Sequence, residues 1–158
     1  MKILRAAQRV HDPLTCPYPA PHNEGIGPMT GAPLSDLGGL SQFGAHLDTL
    51  MPGGLSSQRH WHENEDEFVM ILSGEAVLID DDGEHPMRPG DCAAHRAGDG
   101  NGHHLRNDGP EPCAYLIIGG RQPEEIAHYA DIDMKMVRTA KMRGFFKRDG
   151  TPYPKRNP

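Results

Sequence analysis

Apolar and polar residues alternate through the middle of this chain with the two-residue period of half-buried strands, not the 3.6-residue period of helices. Phe43, Ala45, Leu47, Thr49 and Met51 share one parity and predict a strand that buries that set, closed by Pro52-Gly53-Gly54. A second strand runs to Trp61-His62, residues 63–66 form a polar turn, and Glu67 to Leu72 is strongly apolar. Further strands are predicted over 76–79, 92–95, 103–106 and 113–118. They are separated by Ser73-Gly74, by the hairpin signal Asp81-Asp82-Gly83, by Pro89-Gly90-Asp91 and by a loop over 97–102. Short strands at this spacing predict an all-β sandwich or barrel. Residues 11–35, rich in Pro, Gly and small polar residues, read as an extended arm without its own core. After Gly120 the pattern changes: 124–128 predict one helical turn, and the remainder, including Phe145-Phe146, reads as a tail docked on the barrel.

Two parities compete in 67–72. If Glu67, Val69 and Ile71 point inward, then Phe68, Met70 and Leu72 form an outer apolar row that needs cover. The arm, the tail with Phe145-Phe146, or a second copy of the chain would supply it, and a homodimer is the preferred expectation.

Composition supports many turns and a thin core. Gly and Pro make up 34 of 158 residues, whereas Leu, Ile, Val and Phe number only 28. Residues 1–130 carry 8 Lys/Arg against 19 Asp/Glu, and 131–158 carry 8 against 3. No nucleic-acid motif accompanies that basic tail, so it is expected to pack on an acidic surface. Cys16, Cys92 and Cys113 form no CxxC pair and no disulfide framework, and neither a secretory leader nor a membrane-length apolar run is visible. A cytoplasmic protein that engages no membrane is expected.

The candidate chemistry lies in histidines. His60 and His62 are two apart, so on one strand both rings reach the same face. Glu67 follows at an odd offset, but the turn at 63–66 allows it to open the next antiparallel strand and return to the same interior. A fourth ligand must come from elsewhere, and of the adjacent His103 and His104 only one can point inward. Three imidazoles and a carboxylate suit Fe(II), Mn(II), Ni(II), Co(II) or Zn(II). His95, at a strand end, is a candidate for lining the pocket. His46 has the parity opposite to the presumed buried set, and His104 and Arg106 are expected to face away from the metal.

The run Gly54-(5)-His60-Trp61-His62-(4)-Glu67-(6)-Gly74 resembles the first cupin motif at every spacing. Gly90-(5)-Arg96-Ala97-Gly98-(4)-His103-(3)-Asn107 resembles the second, with Arg96 where the family usually has Pro and a loop two residues longer before the histidine. Fifteen residues separate Gly74 from Gly90, as in small single-domain bacterial cupins. Residues 129–133 and 147–153 are similar to the tails of that group. The resemblance implies a cupin jelly-roll β-barrel over 36–120, between an N-terminal arm at 1–35 and a C-terminal tail at 121–158. It implies one divalent transition metal on His60, His62, Glu67 and His103, the spacing to Asn107 selecting His103 over His104. The expected function is a metal-dependent enzyme acting on a small molecule: oxidoreductase, isomerase or lyase, with dioxygenase-type chemistry first. The alternative is a non-catalytic binding or sensing protein built on the same metal site.

Overall fold

The computed structural model describes residues 2–6 and 12–154. The expected arm at 7–11 and tail at 155–158 lie outside the described residues. The elements in chain order are β1 (Asp12–Pro13), β2 (Gly27–Pro33), α1 (Leu34–Gly38), β3 (Phe43–Leu55), β4 (His60–His62), β5 (Glu67–Ser73), β6 (Ala76–Asp80), β7 (Gly83–Met87), β8 (Cys92–His95), β9 (His104–Arg106), β10 (Cys113–Gly120), β11 (Glu125–Tyr129), β12 (Lys135–Arg138) and β13 (Arg143–Phe146).

Two antiparallel sheets face each other as a nearly closed jelly-roll barrel. The larger runs β7-β6-β9-β3-β10-β5-β8, with β2 also beside β3 and β1 beside β2; the smaller runs β13-β12-β11-β4. β3 is long enough to pair with β10, β2 and β9 at once, which stitches the arm into the large sheet.

Of residues 124–128, expected as a helical turn, 125–128 instead belong to β11, paired with β4 and β12. Five residues hold too few helical hydrogen bonds to offset nucleation, whereas two flanking strands satisfy their backbone at once. Phe145-Phe146 belongs to β13 and so to the second sheet. Phe145 packs on Tyr18 and Tyr129, and with Met134 these rings form a small core between the arm and that sheet. The expected arm without a core therefore shares one, through Tyr18.

β3 reverses the expected parity. Its most buried residues are Asp48, Leu50 and Gly54, and the face opposite the apolar set, Gly44, His46, Asp48 and Leu50, is the one turned inward. The barrel interior at this end is a cavity into which β3 turns His46 and Asp48, so hydrophobic parity there marks the outside. In β5 the expectation matches: Val69 and Ile71 join the main core with Leu50, Leu78, Leu105 and Tyr115. The three cysteines are free thiols. No helix among the described residues is long and apolar enough to cross a membrane.

Candidate metal centre

Three segments bring the expected donors together. β4 presents His60 and His62 from one face. Reciprocal backbone hydrogen bonds between His60 and His103, 3.2 and 2.9 Å, set the 103 segment alongside it. Glu67 opens β5 after the polar turn, in register with Gly119 and His95. Donor atoms of His60, His62 and Glu67 all lie within 4.8 Å of one another, and His103 Nε2 is 3.2 Å from Glu67 Oε1. Donors on opposite sides of a bound ion stand about 4.2 Å apart, so the spacing of His60, His62 and Glu67 is of the size an ion spans, while His103 stands outside that three-donor group and joins it through Glu67. The neighbouring His104 turns away to the Ser57 carbonyl, 3.0 Å from its Nδ1, although its ring still borders the cavity. Arg106 is outside, paired with Glu84 and Asp108.

The remaining ring nitrogens fit a metal. His60 Nδ1 lies 2.9 Å from the Gln58 carbonyl and His103 Nδ1 3.3 Å from that of Asn101. A proton on each Nδ1 is thereby engaged, which leaves the Nε2 lone pair for an ion. His62 Nδ1 is buried without a hydrogen-bond partner among the described residues, and Glu125 Oε1 is 3.5 Å away. Glu125 itself is fixed by the backbone amides of Glu63 and Asn64, at 2.9 and 3.0 Å. It is a positioning carboxylate for His62 that sequence reasoning missed, having read its segment as helix. Glu125, Ala127 and Tyr129 are buried at alternate positions, a pattern that only the folded strand reveals.

Electrostatics agree with that role. Burial alone would raise the Glu67 carboxyl. The hydrogen bond with His103 and the proximity of His60, His103 and His62 outweigh it and hold the group down to about 2. Burial pushes His60 down to about 4, against the pull of Glu67. Near neutral pH Glu67 is thus a carboxylate beside a neutral His60, the protonation a cation needs from them. His95 stacks on His103 with ring centroids 3.4 Å apart and planes 9° from parallel, and its Nε2 is buried without a partner among the described residues. Burial, with His103 adding to it, depresses His95 to about 4.

Glu67, His60, His103 and His95 border a cavity of about 340 Å³ between the sheets, whose wall also includes His46, Asp48 and Tyr115. The family model for the cupin domain matches residues 46–119. A crystal structure from Silicibacter pomeroyi, described as a sugar phosphate isomerase from a cupin superfamily, is 43% identical, covers 97% of each chain and superposes with a TM-score of 0.91. This chain belongs to the cupin superfamily. A candidate sugar phosphate isomerase from Acidithiobacillus ferrooxidans is 26% identical over 81% of both chains, with a TM-score of 0.73. The polyketide cyclase RemF of Streptomyces resistomycificus, 18% identical over 77% of this chain and 80% of its own, shares the cupin fold with a TM-score of 0.64. The comparison with curated proteins finds no match.

The cupin framing residues have physical reasons here. Gly74 has φ +72°, and a Cβ at that position would sit 2.3 Å from the Pro112 carbonyl oxygen. Asn107 is fully buried: it donates to the Leu50 and Glu111 carbonyls and accepts from the Gly109 amide, each at 2.9 Å. These contacts anchor the end of the strand that carries His103.

Proposed function

We propose that this cupin is a metal-dependent isomerase of a small phosphorylated sugar, with one divalent transition metal held by His60, His62, Glu67 and His103. The observation that carries the metal is the orientation of the three imidazoles. Nδ1 of each is turned to a backbone carbonyl or to Glu125, while the carboxylate of Glu67 lies among them at the edge of a cavity. The likeness to the Silicibacter protein, by its description, moves the reaction from dioxygenase-type chemistry, the first expectation, to isomerisation.

The metal, when bound, would polarise a substrate carbonyl oxygen as a Lewis acid. Isomerising an aldose to a ketose moves a proton between neighbouring carbons and needs a group that exchanges protons near neutrality. Asp48 has that property. Burial pushes its carboxyl up to about 6, and its Oδ1 is buried without a hydrogen-bond partner among the described residues. The stacked His95 and His103 rings form a rigid wall that excludes water from one side.

Metal analysis of protein purified without chelators tests the core of this reading. About one transition-metal ion per chain is expected, with loss of most of it in His62→Ala. A wild-type protein that takes up none sinks the proposal. With metal loaded, a panel of aldose and ketose phosphates should reveal interconversion. Oxygen uptake by the Fe(II) form would restore the dioxygenase. Thermal stabilisation by a ligand without turnover would instead mark a non-catalytic binding protein.

A further inference from the structure

A second cavity opens at the end of the barrel next to Glu67, and its chemistry differs from that of the first. It measures about 860 Å³ and is lined by Arg121, Arg138, Arg143 and Thr139 on one side. His46, Asp48, Glu67 and Ile117 line both cavities and so stand between them. Glycines thin the barrel rim at this point. Gly44 and Gly119 are register partners across β3 and β10, and Gly119 pairs in turn with Glu67. Two residues without side chains thus share the inward row of Glu67, at the rim. A Cβ on Gly44 would stand 3.5 Å from Arg121 Nε, so the guanidinium lies directly over the space they leave.

Charge separates the two compartments. Among the described residues, the inner cavity is lined by no Lys or Arg, while Asp48 and Glu67 supply carboxyls. A phosphate monoester carries a charge of roughly −1.5 to −2 near neutral pH and would meet carboxyls and imidazoles there, with no guanidinium or ammonium group. At the mouth three arginines stand beside those two carboxyls and Asp36. Arg121 Nη2 is held 2.5 Å from Asp36 Oδ1 and 3.2 Å from Ser35 Oγ, and its Nη1 is 3.3 Å from the Leu40 carbonyl. Arg138 is held by Glu65 and by the Gln122 carbonyl at 3.0 Å. These bonds fix two guanidinium groups in place with their charges largely matched by Asp36 and Glu65. Arg143, exposed on β13, has no side-chain hydrogen bond or ion pair among the described residues and is the guanidinium left free to meet an anion.

We propose that Arg143, with the fixed Arg121 and Arg138, forms a phosphate-binding subsite at the barrel mouth that holds the phosphate of the substrate while its carbon chain reaches past Gly44 and Gly119 toward Glu67. The inference rests on the sugar phosphate reading and assigns the recognising residues. The free donors of Arg143 are suited to phosphate oxygens, with the positively charged Arg121 and Arg138 held beside them. The subsite also fixes which end of the substrate enters: the neutral, hydroxyl-bearing end faces the metal ligands.

The test uses inorganic phosphate titrated into the full-length chain and followed by ³¹P NMR, with wild type, Arg143→Gln, Arg143→Lys and His62→Ala compared. Arg143 makes no hydrogen bond or ion pair through its side chain among the described residues, so its variants are expected to fold, and their melting temperatures check this. Wild type should bind phosphate saturably, Arg143→Gln at least tenfold more weakly, and Arg143→Lys close to wild type. His62→Ala should keep phosphate binding while losing metal. Equal affinity in wild type and Arg143→Gln overturns the subsite, as does a wild type that loads metal but ignores phosphate; the metal reading survives both. Phosphate binding that depends on Arg143 in a protein that takes up no metal supports the subsite and removes the metal enzyme instead.

Discussion

Glu67 and Asp48 stand on the same cavity wall, and their surroundings drive them in opposite directions. Both are pushed toward the neutral form by burial, but only Glu67 has imidazoles at hand to reverse the effect. Its carboxyl is held below the ordinary value, so its contribution to stability is present above about pH 4.5 and is lost as pH falls toward 2. Asp48 has the opposite sign. Its raised value means that the folded state binds the proton more tightly than the unfolded state. Its favourable contribution is complete below about pH 4 and is lost as pH rises through 6. Asp48→Asn, neutral and nearly isosteric, should therefore stabilise the metal-free protein by about 2 kcal/mol at pH 8 and by little at pH 4. Thermal melts at the two pH values measure the difference. If Asp48 moves the proton in the reaction, the same variant loses turnover while gaining stability, a trade characteristic of functional carboxylates. Equal melting temperatures for the two proteins at pH 8 would show that the Asp48 carboxylate carries no burial cost.

At the scale of elements, the strands that frame the site were legible because each pairs a turn with a regular alternation. β5 shows this: Glu67, Val69 and Ile71 face inward as the pattern required, and the turn at 63–66 returns Glu67 to the face of His60 and His62. β3 was misread for a physical reason. Alternation identifies the strand, but the assumption that its apolar face is the interior fails where the interior is a cavity with a titratable wall. His46 was therefore set aside and Asp48 overlooked. β11 was misread because Glu124-Glu125-Ile126-Ala127-His128 has no local feature against helix, and its strand state comes from β4 and β12, far away in sequence. The second motif glycine was legible as a turn, yet its strictness is visible only in space. Gly74→Ala places a methyl 2.3 Å from a carbonyl oxygen at a positive φ, so local backbone movement is unavoidable. A loss of about 2–4 kcal/mol is expected from strain and clash together, read as a lower denaturant midpoint. A variant as stable as wild type would mean that the β5–β6 turn relaxes without cost.

For the whole molecule, the unresolved question left by the pattern is what covers the outer face of the large sheet. Phe145-Phe146, one of the expected covers, is committed to the second sheet, and the arm pairs along β3 and packs through Tyr18 on Tyr129. Phe43, Phe68 and Leu72 remain 39%, 36% and 46% exposed, and Phe68 is in register with Ile118, which pairs in turn with Ala45. Soluble monomers rarely leave so continuous an apolar row uncovered, and with both covers from the chain itself otherwise engaged, a second copy is the occupant we propose. An interface of the usual size, about 800 Å² per partner, would extend beyond this row, but its centre would lie here, where desolvation contributes most. Light scattering behind size exclusion should then give about twice the chain mass of 17.3 kDa at micromolar concentrations. Leu72→Glu, a charge placed in that centre and far along β5 from Glu67, should shift the protein to the monomer while its metal content stays at the wild-type level. A wild type that remains at the single-chain mass across that range would leave the row exposed by design and the homodimer without support. A Leu72→Glu dimer as tight as wild type would place the contact on another face of the barrel.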